Sequence, residues 1–105
     1  MKGPDLSGLL GQAQKMKKEM ARVQEELKTR VVEGAAGGGK VVAQVNGAME
    51  LVSLKIDPDV IDPGDREMLE DMVVAAVNTA TQEAQKMVQQ EMAKLTGGLR
   101  IPGLF

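Results

Sequence analysis

GAAGGGKVVAQVNG, residues Gly34–Gly47, is the stretch on which the fold turns. Gly34, Gly39 and Lys40 stand at the spacing of the phosphate-binding pattern G-x-x-x-x-G-K-[ST]. A loop of that kind must open into a helix whose free N–H groups face the phosphates. The eighth position of the pattern is Val41, which has no hydroxyl for a magnesium ion. The next run, KVVAQVN, is rich in β-branched side chains and closes on Asn46-Gly47, a strong hairpin signature. The glycines therefore lead into a strand, and a nucleotide site is excluded by chemistry and by context. Gly34, Gly37, Gly38 and Gly39 become a shape requirement of a connection between two strands. Lys40 becomes an ordinary solvated residue.

Around this stretch, three strands are expected over about residues 31–35, 40–46 and 48–57. In the third, Val52, Leu54 and Ile56 share one face while Ser53 and Lys55 take the other. Asn46-Gly47 joins the last two strands as a tight hairpin, giving a small antiparallel meander with one face to bury. Upstream, Leu6, Leu9, Ala13, Met16, Met20, Val23 and Leu27 recur at alternating spacings of 3 and 4. That is the narrow seam of a coiled coil or helix pair. A helix over about 6–30 would be roughly 37 Å long and is expected to project, its seam asking for a partner helix.

Downstream, Asp57-Pro58 ends the third strand and a second helix is expected over about 63–95. Pro63 suits the first helical position behind Asp62, and Asp65 is the rival cap. Asp65, Glu67, Glu70 and Asp71 crowd its first turns, as the helix dipole prefers. Its apolar face (Leu69, Met72, Val73, Ala76, Ala80, Ala84, Met87, Val88) turns small in the middle, which admits a second backbone. With the seam, the stretch from Ala75-Ala76 to Ala84 points to a homodimer. Thr96-Gly97-Gly98 stops the helix, and residues 96–105 form an irregular tail. The fold class is α+β: a long N-terminal helix, a three-stranded antiparallel meander and a long C-terminal helix, α-β-β-β-α, as one domain over 1–105.

A chain of 105 residues buries only a thin core of its own. Its single aromatic residue is Phe105, and eight Met serve as adaptable filler and contact surface. There is no cysteine and no histidine, which removes disulfides, thiolate and imidazole chemistry and the usual zinc site. A non-enzymatic protein is expected, with no cofactor, no metal and no small-molecule substrate. No apolar run approaches the roughly 18 residues of a membrane span, and MKGPDLSGLL lacks the apolar core of a secretion signal. The expectation is a cytoplasmic protein with no membrane partner.

The net charge of −2 is unevenly divided. Residues 1–30 carry seven basic groups against four acidic ones, residues 31–60 come to −2, residues 61–85 to −5 and residues 86–105 to +2. On the first helix Lys15, Lys18 and Arg22 fall on the face opposite the seam. They are either a solvated exterior, paired with Glu19, Glu25 and Glu26, or a track of cations facing phosphates. Residue chemistry alone leans to the solvated exterior.

The order of motifs adds to this. QAQKM (Gln12–Met16), EGAAGGGKV (Glu33–Val41), Asn46-Gly47 followed by Glu50, KIDPDVID (Lys55–Asp62), DREMLEDMVVAAVNTA (Asp65–Ala80) and MAKLTGGLRIPGLF (Met92–Phe105) together span nearly the whole chain. The combination resembles the YbaB/EbfC family of bacterial nucleoid-associated proteins. That resemblance implies a tweezer-like homodimer whose helical arms bind double-stranded DNA in the nucleoid with low or variable sequence preference. It also implies a part in organising the chromosome and influencing gene expression. No active site is carried over. The positions it suggests as phosphate contacts are Lys15, Lys17, Lys18, Arg22, Lys28, Lys86, Lys94 and Arg100. The alternative is an adaptor or scaffold that grips another protein through the helical seam and a Met-rich surface.

Overall fold

The structure is a computed structural model that describes residues 6–96, with side chains described for residues 7–95. Gly37, Gly38 and Gly39 adopt φ values of 64°, 69° and 90°, a left-handed run that glycine accepts without steric cost. They fold strand β1 (Val31–Ala36) back onto β2 (Val41–Asn46). Helix α1 (Leu6–Thr29) precedes this hairpin; β3 (Leu51–Ile56), two 3-10 turns (Pro58–Val60 and Pro63–Asp65) and helix α2 (Arg66–Thr96) come after it. The antiparallel sheet has the order β1-β2-β3.

The β2–β3 connection is not the tight two-residue turn expected. The loop takes in residues 47–50, and Asn46, buried among its neighbours, organises it. Its Oδ1 accepts from the amides of Ala48 (2.9 Å) and Glu50 (3.0 Å), while its Nδ2 donates to the Glu50 carboxylate at 3.0 Å. The positive φ of the loop belongs to Met49, at 62°. Gly47 has another reason to be glycine: its N–H donates to the Leu27 carbonyl at 2.9 Å, and a Cβ there would run into the Leu27 backbone. The hairpin is thereby fastened to the end of α1. A register shift at Gln44/Val45 pairs Val45 with Leu51 and Gln44 with Ser53. Leu51 therefore aligns with Leu54 and Ile56, and Val52 drops out of the ladder, contrary to the simple alternation.

One face of the sheet is covered by α2. Val41, Ala43 and Val45 of β2 are buried against Ala76, Ala80 and Ala84, all three of which are fully inaccessible. The small-residue stretch expected to meet a partner subunit is thus spent inside the chain, because β1 comes unusually close. A Cβ on Gly34 would meet the Ala80 amide nitrogen and the Ala76 carbonyl oxygen. Both rival caps of the second helix are used in tandem. Asp62 Oδ1 accepts from Gly64 N at 2.9 Å to cap the 3-10 turn, and Asp65 Oδ1 accepts from Met68 N at 3.2 Å to open α2.

The seam of α1 divides in two. Val23 and Leu27 are buried with Met87, backed by Val32, Val88, Met92 and Leu95, so this end of α1 pairs with α2 of its own chain. Leu9, Ala13 and Met20 are exposed, and Met16 is half-buried. At about 36 Å long, α1 carries its first turns, with Leu9 and Leu10 exposed, beyond the groove that Gln12 and Met16 share with Leu95 of α2. The molecule is correspondingly elongated, 80 × 26 × 16 Å. The Leu6 side chain, the tail after Thr96 and Arg100 lie outside the described residues.

Candidate nucleic-acid interface

A helix turns about 100° per residue, so Lys18 and Arg22 share the side of α1 turned away from Val23 and Leu27, while Lys15 and Lys17 flank the seam on either side. All four are exposed. Their electrostatic situations differ. Arg22 holds two carboxylates, Glu19 at 2.8 Å and Glu26 at 2.6 Å. The Glu19 carboxyl lies below its ordinary range, chiefly through the hydrogen bond from Arg22, then its charge, with Lys15 a smaller contributor. The Arg22 guanidinium is raised in turn, first by the hydrogen bond with Glu19.

Most of the other cations named from sequence are also paired. Lys28 meets Glu25 at 3.0 Å, Lys86 meets Glu83 at 3.4 Å and Lys94 meets Glu91 at 3.1 Å. Glu91 also receives Arg30 at 3.1 Å. Exposed pairs of this kind are screened by water and salt and add little to stability, so they do not lock the side chains. They do offset the charge locally. Among the described residues, Lys15, Lys17, Lys18 and Lys55 form no ion pair within 4.0 Å. Three of these four stand together on the α1 arm. Lys55 sits on β3 opposite Val42; a search for cations along helix faces passes over it, and nothing local marks it.

The acidic groups gather elsewhere. Lys40 is not the plain solvated residue expected: its Nζ lies 3.5 Å from Asp57 and 3.3 Å from Asp59. Asp57 is held below its ordinary range, mainly by the Asp59 backbone N–H, with Lys40 contributing less. Glu67, Glu70 and Asp71 line the surface beside Pro63 and Gly64 at the start of α2. The other end of α2 meets the arm, where Leu95 lines a groove with Gln12, Lys15, Met16 and Glu19. From Arg66 to Leu95 the helix rises about 44 Å, against a Debye length of about 8 Å at physiological salt. The acidic end of the body is too far away to cancel the arm.

Among the described residues no group of three or more His, Cys, Asp or Glu is placed to hold a metal ion. No helix among them is long and apolar enough to cross a membrane. Residues 1–99 match the model of the YbaB/EbfC DNA-binding family. The chain belongs to that family. A nucleoid-associated protein of Pelotomaculum thermopropionicum is 53% identical over 105 residues, covering 100% of both chains. Another, from Acetivibrio thermocellus, is 50% identical over 104 residues, covering 98% of this chain and 92% of its own. Among solved structures, an uncharacterized protein from Helicobacter pylori superposes with a TM-score of 0.68 at 30% identity, over 92% of this chain and 98% of that one. This YbaB/EbfC chain is thus a member of a nucleoid-associated DNA-binding family, and among the described residues its α1 arm is the region of least compensated positive charge.

Proposed function

We propose that this YbaB/EbfC protein binds double-stranded DNA as a homodimer in the nucleoid, without chemistry and with low sequence preference. In that role it organises the chromosome and influences gene expression. The observation that carries the reading is the trio Lys15, Lys17 and Lys18, unpaired on a projecting helix and about 44 Å of α2 away from the acidic end. Lysine ammonium groups meet phosphates as point charges and release counterions, which supplies affinity without reading bases. Arg22, Lys28, Lys86 and Lys94 join as secondary contacts whose carboxylate partners keep binding modest, and Arg100 is a further candidate.

Two copies are supported by the sheet. Leu51 and Leu54 lie on the same face as the buried Val45 and Ala43, yet are 49% and 38% exposed, because α2 covers β1 and β2. β3 is also an edge strand, and its Val52 is exposed as well. A bare apolar face on a strand edge invites a second chain, and covering it with another copy would present two arms to one duplex. The test is gel retardation of a duplex by wild type and by a triple Lys15→Glu, Lys17→Glu, Lys18→Glu variant. The variant should keep its circular dichroism and lose retardation; equal retardation by both proteins would remove the arm from the interface.

A further inference from the structure

We infer that Lys15, Lys17 and Lys18 form a modification site, at which a small acyl phosphate transfers its acyl group to the α1 arm, and that the charge lost in this way releases DNA. The transfer stands on the arrangement of the arm alone. The release rests on the reading of the arm as the DNA interface.

The carboxylates of α1 decide which of its amines are free. Glu19, Glu25 and Glu26 are the acidic residues of the helix. Arg22 takes Glu19 and Glu26, and Lys28 takes Glu25, so the helix has no carboxylate left for the three lysines. Exposure does not set them apart, since Lys28, Lys55, Lys86 and Lys94 are exposed too. Pairing does. Lys28, Lys86 and Lys94 lie 3.0, 3.4 and 3.1 Å from a glutamate, and Lys40 meets Asp57 and Asp59. An ammonium in such a contact has to break it before its nitrogen can reach a carbonyl carbon. Lys55 is unpaired as well, but it stands on β3 opposite Val42, apart from the other unpaired lysines.

Clustering selects the donor. Lys17 and Lys18 are consecutive, and Lys15 and Lys18 stand one helical turn apart, with about 5–6 Å between Cβ atoms. Lysine meets a phosphoryl group as a point charge on a flexible stem, so two ammoniums can hold the phosphoryl group while a third nitrogen reaches the adjoining carbonyl. One extra unit charge about 4 Å from an anion in water raises its local population roughly fivefold. The attacking nitrogen first gives a proton to solvent. Its lone pair then forms the C–N bond, the C–O bond to phosphorus-bound oxygen breaks, and phosphate leaves with the bonding pair and takes up the second proton from nitrogen. No electron is gained or lost overall, and a charged ammonium becomes a neutral amide.

The experiment treats the full chain with acetyl phosphate at low ionic strength, and in parallel with the uncharged N-hydroxysuccinimidyl acetate, and follows each lysine by mass spectrometry. Acetyl phosphate should modify Lys15, Lys17 and Lys18 roughly fivefold faster than Lys55, and faster still than Lys28, Lys86 and Lys94. Added salt should erase the preference over Lys55, and the uncharged ester should not show it. Equal rates at the three lysines and Lys55 with acetyl phosphate, or the same preference with both reagents, would overturn the site whatever the DNA result. Duplex affinity is then measured before and after treatment. It should fall by roughly tenfold or more, with the salt slope flattened by about 0.9 for each lysine modified. In a Lys15→Arg, Lys17→Arg, Lys18→Arg variant, which keeps the charge without the amine, treated and untreated samples should bind alike. An equal loss in variant and wild type would overturn the release, and undiminished affinity in acetylated wild type would overturn it by removing the arm from the interface while the site itself stands.

Discussion

Gly34 in β1 and Ala80 in α2 meet backbone against backbone, with no room between them for a Cβ. This contact seats α2 across β1 and β2, and so fixes the direction in which its C-terminal end leaves the sheet to meet α1. Gly34→Ala forces α2 away from the sheet, an overpacking that costs about 1–3 kcal/mol. For a domain of this size each kcal/mol lowers the melting temperature by roughly 4–8 °C. A thermal melt checks it, and an unchanged midpoint would mean the contact yields freely.

The double pairing of Arg22 makes a prediction of opposite sign. Glu19→Gln with Glu26→Gln frees the guanidinium held at 2.8 and 2.6 Å and removes two negative charges from the arm. Affinity for duplex DNA should rise several-fold, and the log–log salt slope should steepen by about 0.9 for the added phosphate contact. Fluorescence anisotropy with a labelled duplex reads both; weaker binding would show that the pairs position the arm rather than damp it.

Leu51→Asp places a carboxylate on the bare end of the α2-side face. If a second copy covers that face, the variant should sediment as a monomer at micromolar concentration where wild type sediments as a dimer, and its DNA binding should fall with the loss of the second arm. Identical sedimentation would send the interface elsewhere.

Acid should weaken the joint between Arg30 and α2. The Glu91 carboxyl lies below its ordinary value of 4.5, first through the hydrogen bond from Lys94 and then through that from Arg30. A depressed carboxyl contributes stability that is present above its unfolded value and lost as pH falls from about 4.5 through the lower folded value. Glu91→Gln should therefore melt below wild type at pH 7, with the gap closing as pH falls below 4.5. A gap of the same size at both pH values would contradict the pairing.

Much of this was legible because it is local. The 3-and-4 spacing from Leu6 to Leu27 marks α1, the β-branched run after Gly39 marks β2, and Asp62 and Asp65 announce both caps. The illegible part depends on which distant backbone comes near. Ala76, Ala80 and Ala84 read as a partner surface until Gly34 is seen to need them, and Gly47 reads as a turn glycine until Leu27 is seen above it. Likewise Lys40 meets Asp57 and Asp59 only through the β2–β3 register. At the candidate site the helical cations could be named from sequence. Which of them are free could not, since Glu19, Glu25 and Glu26 each have more than one lysine or arginine within a turn.

Salt-titrated duplex binding by wild type beside the Lys15→Glu, Lys17→Glu, Lys18→Glu variant tests the central claim most directly. Wild-type affinity should fall steeply and linearly on log–log axes, and in the variant the slope should flatten by roughly 2–3 per arm engaged, at about 0.9 for each phosphate no longer neutralised. A wild-type affinity indifferent to salt, or the same slope in both proteins, would contradict binding through the unpaired lysines of α1.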